Sequence, residues 1–336
     1  MKNVTLRQLR VFAAAARLLN FGKAAAELHL TPPAVSMQIR ELELQVGLPL
    51  FERHGKTITL TVTGEYLVVY ARRVLATLRE AEDALARFRG LESGRLTLGL
   101  VSTAKYFVPR LLASFREEHP HIEVRLTIGN REQLVAQLQG KDLDLAIMGR
   151  PPRDLATRAE PFAAHPLGIV CAADHPLLRR EQVPAQALAQ HPFIIRESGS
   201  GTRRAMEDYL REHHVLPRFE MELPSNETIK QTVMAGMGIS FLSLHTVGIE
   251  LRHGLLGVPD VEGLPLVRSW QVVHLASKLL SPSAEAFRYF VLEHGEAFMA
   301  REFGSLQPLP SGVSAPPEPP AAPAVRSPRA TRARPD

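Results

Sequence analysis

Cysteine is almost missing from this chain of 336 residues, where Cys171 stands alone. One thiol excludes an internal disulfide framework and every metal site that needs a cluster of cysteines. A single cysteine is also typical of a protein that works in a reducing compartment.

Long apolar runs are missing as well. None approaches the ~20 residues that a membrane-spanning helix requires, and Arg10 and Arg17 interrupt the segment where a secretory leader would have its apolar core. We therefore expect a cytoplasmic protein without membrane contacts. The composition, 45% hydrophobic and 22% charged, is that of an ordinary globular protein. The net charge of +5 permits nucleic-acid binding but is weak support for it alone.

Composition divides the chain into four regions. Residues 1–60 are rich in alanine, leucine and basic side chains, residues 61–91 form one long helical pattern, and residues 92–303 alternate short apolar runs with helical patterns. Residues 304–336 are rich in proline, alanine and arginine. Such a segment cannot bury a core, so we predict a disordered tail there.

The first region contains a helix, a short helix, a tight turn and a longer third helix. Thr31 is a good N-cap for the third helix, and Gly47 is a good terminator. The apolar residues of this helix recur at four, three and four residues and predict its buried face: Val35, Ile39, Leu42 and Val46. A tight turn before a helix with a polar outer face is a helix-turn-helix, whose second helix enters the major groove of DNA.

A β-hairpin is predicted directly after the third helix, because two short extended runs flank the turn at Gly55. Such a hairpin would form the wing of a winged helix-turn-helix. The residues predicted to contact DNA, through base edges or phosphates, are Thr31, Pro32, Pro33, Ser36, Met37, Arg40, Arg53 and Lys56.

The stretch from Phe21 to Glu43, FGKAAAELHLTPPAVSMQIRELE, resembles the helix-turn-helix of LysR-type transcriptional regulators. The segment GLPLFER from Gly47 to Arg53 resembles the beginning of the wing in the same family. Pro32 departs from the family pattern, which usually has glutamine there, so one base contact of the family is in doubt. The resemblance implies a DNA-binding domain at 1–60, a linker helix at 61–91 and an effector-binding domain at 92–303.

The linker helix is predicted to begin after an N-cap at Thr63. Its apolar residues alternate spacings of four and three, as in a coiled-coil seam: Leu67, Ala71, Val74, Leu78, Ala81, Leu85 and Phe88. We expect this seam to pair with a second copy of the chain, the alternative being that it packs on its own sensor domain. The family resemblance implies paired linker helices in a homotetramer, a dimer of DNA-binding dimers.

The third region is predicted to be α/β. Strand and helix patterns alternate from Arg95 to Ile147, which favours a parallel sheet with crossover helices. A similar pattern restarts near Leu167, so we expect two lobes with a cleft between them. The family resemblance implies the same architecture, a two-lobed effector domain like that of periplasmic binding proteins.

Ligands in such sheets bind at the carboxyl ends of the strands. Polar loops follow the first strand of each lobe and precede a helix, an arrangement that suits anions, and Arg150 and Arg196 add positive charge. The effector-binding residues predicted from these loops are Ser102, Thr103, Lys105, Ser200, Thr202 and Arg203. The family resemblance implies four more at the edge of the cleft, namely Asn130, Met148, Asn226 and Glu227.

A finer resemblance is to regulators of carbon-fixation (RuBisCO, Calvin-cycle) operons. It is carried by LTPPAVSMQ from Leu30, VSTAKYF from Val101, IMGRPP from Ile147 and FIIRESGSGTR from Phe193. It implies an activator that needs no cofactor, that contacts operator DNA and RNA polymerase, and that responds to a phosphorylated sugar, a related metabolite or NADPH. A LysR-type regulator of another metabolic operon is the alternative.

Three other classes of protein fit less well. An enzyme is disfavoured because the loop Ser198–Thr202 lacks the first glycine of a G-x-S-x-G nucleophile turn, and Cys171 sits in a strand pattern typical of a buried thiol. A solute-binding transport protein would leave residues 1–91 unexplained. A DNA-packing protein would need no ligand cleft.

Overall fold

The N-terminal part of the molecule is a winged helix-turn-helix. The computed structural model describes residues 3–54, 57–86 and 94–304. Its first elements are α1 (Leu6–Leu18), α2 (Phe21–Glu27), α3 (Pro32–Val46), β1 (Phe51–His54), β2 (Thr57–Leu60) and α4 (Val62–Ala86). Strands β1 and β2 pair antiparallel as the predicted hairpin.

Helix α3 forms as predicted. The Thr31 hydroxyl accepts a hydrogen bond from the Ala34 N–H, Pro32 occupies the first turn, and Gly47 ends the helix in the left-handed region at φ 80°. Val35, Ile39 and Leu42 are buried, whereas Val46 is only partly buried. The four helices and the wing share one core, in which the rings of Phe12 and Phe51 meet edge to face.

Helix α4 begins earlier than predicted. Thr61, not Thr63, is its N-cap, since the Thr61 hydroxyl accepts from the Gly64 N–H at 3.0 Å and donates to the Pro49 carbonyl at 2.7 Å. Gly64 must lack a side chain, because a Cβ there would lie 2.2 Å from the Leu50 carbonyl oxygen. The wing therefore fixes where the helix starts.

The predicted seam along α4 is wrong at its N-terminal end. Leu67 and Ala71 pack against the core of the winged helix-turn-helix instead of facing outward, because this part of α4 lies along α1. Farther along, Val74 and Leu85 are exposed by 46% and 63%, while Phe88 lies outside the described residues. The exposed apolar face consists of Val62, Tyr66, Val69, Tyr70 and Val74.

The sensor follows in two lobes. Lobe 1 contains β3 (Gly94–Val101), α5 (Val108–Glu118), β4 (Ile122–Gly129), α6 (Arg131–Gln139), β5 (Leu145–Met148) and the final helix α10 (Pro282–Phe303). Lobe 2 contains β7 (Pro192–Arg196), α7 (Gly201–Glu212), β8 (Arg218–Leu223), α8 (Asn226–Met234), β9 (Ser240–Ser243), α9 (Gly248–Arg252) and β10 (Leu256–Gly257).

Two long strands join the lobes, β6 (Thr157–Ala172) and β11 (Leu266–Leu275). Along β6, residues 157–167 pair with β11, and residues 167–170 pair with β9 of lobe 2. The order β10-β6-β11-β5-β3-β4 makes a mixed sheet, in which the parallel pairs β3–β4 and β3–β5 are as predicted but β11 lies antiparallel to β5 and β6. The parallel arrangement predicted from Arg95 to Ile147 is therefore confirmed, and the sheet becomes mixed only where β6 and β11 join it, since these two strands pair across a long separation in sequence.

Each lobe has its own core. Phe107, Phe115 and Trp270 are buried in lobe 1 under α10, and Phe193 and Phe241 are buried in lobe 2. Since only the crossing strands are common to both cores, a ligand held between the lobes would lie against β6 and β11.

Candidate functional site

The outer face of α3 presents most of the residues predicted to contact DNA. Thr31, Pro32, Pro33 and Arg40 are exposed, Ser36 is half-buried, and Met37 is 54% exposed. The Arg53 side chain and Lys56 lie outside the described residues. Within the described part of the chain Arg40 forms no ion pair, so its guanidinium is available to an external anion.

Glu43 holds the wing against α3, a role that the sequence pattern did not reveal. Its carboxylate accepts hydrogen bonds from the backbone N–H groups of Leu50 at 2.8 Å and Phe51 at 3.3 Å. The bonds bring β1 beside α3, where Ser36, Met37 and Arg40 line a groove closed by Phe21 and Phe51. In the sequence, the only sign of this role is that Glu43 is an acidic residue beside the buried face of the helix.

A cavity lies between the two lobes, and its empty space amounts to about 430 Å³ when the part open to solvent is included. Of the predicted effector-binding residues, its wall contains Ser102, Thr103, Asn130, Met148, Ser200 and Thr202. The wall also contains Val101, Arg131, Gly149, Arg150, His165, Leu167, Arg196, Gly201 and Arg268. Residues from β3, α6, β5, α7 and both crossing strands therefore meet at one place, as expected for the carboxyl ends of strands.

Four of the predicted effector residues lie away from the cavity wall. Lys105 lies over the Tyr106 ring, 5.1 Å from its centroid, and Glu227 accepts a hydrogen bond from the Tyr106 hydroxyl. Asn226 is buried behind the cavity, where its side-chain oxygen accepts from Arg196 at 2.8 Å. Arg203 turns outward and pairs with Glu207 and Glu222, so it lines an adjoining surface pocket that shares Arg131, Arg150, Ser200 and Gly201 with the cavity wall.

Four arginines dominate the charge of the cavity: Arg131, Arg150, Arg196 and Arg268. No acidic side chain lines its wall among the described residues. Burial lowers the pKa of Arg131, and the positive charge of Arg150 lowers it further. Burial and Arg150 lower the pKa of Arg268 in the same order. Asp208, which lies outside the wall, offsets part of this charge because it is ion-paired with Arg150 at 3.2 Å and with Arg268 at 4.0 Å. The remaining repulsion among the arginines in a partly desolvated space favours a bound anion.

Arg196 is the most firmly held of the four, at 2% exposure. It is ion-paired with Glu197 at 2.7 Å, and it donates to Asn226 and to the Ser102 hydroxyl at 2.9 Å. Because Ser102 belongs to lobe 1 and Arg196 to lobe 2, this guanidinium bridges the two lobes at the cavity.

Two helices begin at the cavity. Asn130 caps α6 in a capping box with Gln133, and the Ser200 hydroxyl caps α7 by accepting from the Arg203 N–H. The first turn of a helix has N–H groups without intrahelical acceptors and carries the positive end of the helix dipole. Both helices thus add to the attraction for a negatively charged group.

His165 is the most unusual residue of the wall. Its ring stacks on Trp270 with 3.8 Å between centroids and 18° between planes. It is 4% exposed, and neither ring nitrogen has a hydrogen-bond partner within the described residues. The sequence pattern does not predict His165 or Arg268 at this site, because the two residues come together only through the antiparallel pairing of β6 and β11.

The described ranges contain no group of three or more histidine, cysteine, aspartate or glutamate side chains placed to hold a metal ion. None of the helices described is long and apolar enough to cross a membrane.

Comparisons with known proteins agree with this architecture. Residues 6–65 match the family described as bacterial regulatory helix-turn-helix protein, lysR family, and residues 89–296 match the LysR substrate binding domain. The HTH-type transcriptional regulator CfxR of Cupriavidus necator is 49% identical over 308 residues, which are 92% of this chain and 97% of CfxR. The RuBisCO operon transcriptional regulator of Allochromatium vinosum is 44% identical over 299 residues, 89% of this chain and 99% of that protein.

One solved structure resembles the sensor in particular. The regulatory domain of CcmR from Synechocystis, in complex with 2-PG, is 41% identical and aligns with a TM-score of 0.58. The alignment covers 60% of this chain and 96% of that domain.

Proposed function

The chain belongs to the LysR family of DNA-binding transcriptional regulators, and we propose that it activates carbon-fixation (RuBisCO) genes in the cytoplasm when a small anionic metabolite binds between its sensor lobes. The target is suggested by the relatives, one of which is named a RuBisCO operon regulator. The effector class rests on one observation, the cavity lined by four arginines and no described acidic side chain.

The phosphate or carboxylate of the effector would bind at the N-termini of α6 and α7. There the hydroxyls of Ser200 and Thr202 and the Asn130 amide stand beside the Arg131 and Arg150 guanidiniums. Phosphorylated two- or three-carbon acids carry the appropriate charge, and 2-PG is the ligand in the CcmR regulatory domain. A sugar phosphate, a related metabolite or NADPH are the other members of the predicted class.

The outer face of α3 would read the operator in the major groove. Ser36, Met37 and Arg40 lie where the base edges would be, and Thr31 with the helix N-terminus suits a backbone phosphate. The exposed side of α4, with Tyr66, Val69 and Tyr70, would be covered by a second copy of the chain. Such pairing places two α3 helices on one roughly palindromic operator, and a dimer of dimers would reach RNA polymerase beside it.

A DNase footprint on the DNA upstream of RuBisCO genes tests this proposal. The full-length protein is added with and without 2-phosphoglycolate, ribulose bisphosphate, phosphoenolpyruvate or NADPH. We expect a long protected region whose length or hypersensitive sites change with one of these anions, because an effector shifts the population toward the state that it binds better. Protection that is indifferent to all four would contradict the carbon-fixation assignment and favour another metabolic operon.

A further inference from the structure

His165 is a buried polar side chain that the protein itself leaves unsatisfied. Both ring nitrogens lack a partner in the described part of the chain, although the residue is only 4% exposed. An unsatisfied buried polar group costs about 1–3 kcal/mol, so such groups in native proteins usually meet a ligand or an ordered water. Since His165 lines the cavity, a bound metabolite can supply the missing partner.

Two neighbours fix the position of the ring. Trp270 covers one of its faces, and its Nδ1 edge lies against Gly149, where an added Cβ would come within 2.4 Å of that nitrogen. The glycine therefore makes room for the imidazole at the cavity wall. A ring held in this way loses little freedom when a ligand binds, which favours selective recognition.

The imidazole differs chemically from the arginines around it. Burial lowers its pKa well below the ordinary value, and the nearby His245 and Arg268 lower it further, so the ring is neutral. A neutral imidazole has one N–H donor and one nitrogen acceptor, whereas a guanidinium only donates. His165 can therefore accept a hydrogen bond from a ligand hydroxyl, which the arginines cannot do, and it can also donate to a ligand oxygen.

We propose that His165 determines the specificity of the effector cavity by hydrogen-bonding a second polar group of the metabolite, a carboxylate or hydroxyl oxygen remote from its phosphate. This inference rests on the proposed function, because it takes an anionic effector in this cavity as given. His165 selects phosphorylated acids over phosphate alone. It also lies on β6 opposite Arg268 of β11, so the contact is made on the two strands that join the lobes.

His245 provides a matched control within the same aromatic cluster. It is 3% exposed and stacks near His165, at 6.2 Å between ring centroids. Its Nδ1, however, accepts from the Trp270 indole N–H at 3.0 Å, and it does not line the cavity. A purely structural role for buried histidines would make both residues matter equally.

Calorimetric titration of the full-length protein tests the inference. The probes are 2-phosphoglycolate and inorganic phosphate, and the proteins are wild type, His165→Phe, His165→Gln and His245→Gln. We expect His165→Phe to weaken 2-phosphoglycolate binding about tenfold, the loss of roughly one hydrogen bond, and to leave phosphate binding unchanged. Because glutamine also donates and accepts, His165→Gln should retain most of the affinity, and His245→Gln should retain all of it.

Imidazole nitrogen NMR, with the His165 signals assigned by comparison with the variants, supplies a second readout that is measured on the wild-type protein itself. A ring nitrogen of His165 should shift when 2-phosphoglycolate is added and should not shift with phosphate. An unchanged affinity in His165→Phe, an equal loss for both probes, or an unmoved His165 resonance in saturated protein would overturn the inference alone. If wild type binds neither probe, the anionic effector of the proposed function fails and the inference fails with it.

Discussion

The outer face of α3 and the cavity of the sensor, the two regions proposed to bind other molecules, both present arginine but in opposite surroundings. Arg40 on α3 is exposed, with no ion pair among the described residues. Arg196 in the cavity is 2% exposed and held by Glu197, Asn226 and Ser102. An exposed charge attracts a polyanion from a distance and is screened by salt. A buried one is costly to desolvate and must be positioned by partners. The DNA-binding face and the sensor should therefore respond differently to the same substitution.

The largest difference is expected for the stability of the fold. Arg196→Ala leaves Glu197 without its partner and removes a bridge between the lobes, so the free energy of unfolding should fall by about 3 kcal/mol. Urea denaturation measures this effect. The matched control is Arg204→Ala on α7, since Arg204 is 58% exposed and its ion pair with Asp208 at 3.5 Å is on the surface. Its loss should change stability by less than ~1 kcal/mol. Equal losses would contradict the contrast.

The free energy of unfolding of the sensor should fall more steeply in acid than protonation of its carboxylates alone would cause. Burial lowers the pKa of His245 from 6.5 to about 4. In the unfolded chain this imidazole takes up a proton below pH 6.5, while in the folded protein it resists protonation down to about pH 4. The contribution of His245 to stability is therefore fully present above pH 6.5. It is lost as the pH falls toward 4, by roughly 3 kcal/mol in total.

Thermal unfolding across pH 4–7 separates this contribution from those of other groups. His245→Gln, which can still accept from Trp270, should flatten the pH dependence relative to wild type. Parallel profiles for the two proteins would show that His245 does not carry the effect.

On the DNA-binding face, Arg40→Ala should change binding and not folding. We expect the operator affinity to fall by ~1–3 kcal/mol, with unfolding and assembly unchanged because the side chain is exposed. Fluorescence anisotropy at several salt concentrations measures the affinity. Arg116→Ala, exposed on α5 of the sensor, is the control and should bind as wild type does. Loss of assembly in Arg40→Ala would instead assign Arg40 a structural role.

The smallest expected effect concerns Thr202 in the cavity. Thr202→Ala removes a hydroxyl at the start of α7, so it should weaken 2-phosphoglycolate binding by ~1 kcal/mol and impair the effector response. Operator affinity without effector should be unchanged. Thr232→Ala on α8, whose hydroxyl donates to the Thr228 carbonyl, should alter neither. An intact response in Thr202→Ala would remove this residue from the site.

The two regions also differ in how much of their structure can be predicted from the sequence. Helix α3, its cap at Thr31 and its outer face follow from periodicity within fifteen residues, and the structure has them as predicted. The cap of α4 was misplaced by two residues because the wing, not local propensity, decides between Thr61 and Thr63. Prediction from sequence therefore succeeds where the determinants are local.

The cavity was foreseen only in part. Ser102 and Ser200 follow buried strands and precede helical turns, so their convergence could be inferred. Arg268 and His165 reach the wall through strands about a hundred residues apart in sequence, whose pairing has no local signature. Arg203 looked like a cavity residue from its place in the loop, but carboxylates of α7 and β8 draw it outward.

The central claim is that the cavity and the α3 face are coupled, and calorimetry of the ligand with and without operator tests it most directly. The full-length protein is titrated with 2-phosphoglycolate, free and bound to its operator duplex, and the operator affinity is measured with and without saturating ligand. We predict that the ligand Kd changes by about fivefold or more on operator binding, and that the operator Kd changes by the same factor, as linkage requires. Identical ligand Kd values for the free and the DNA-bound protein would contradict the account.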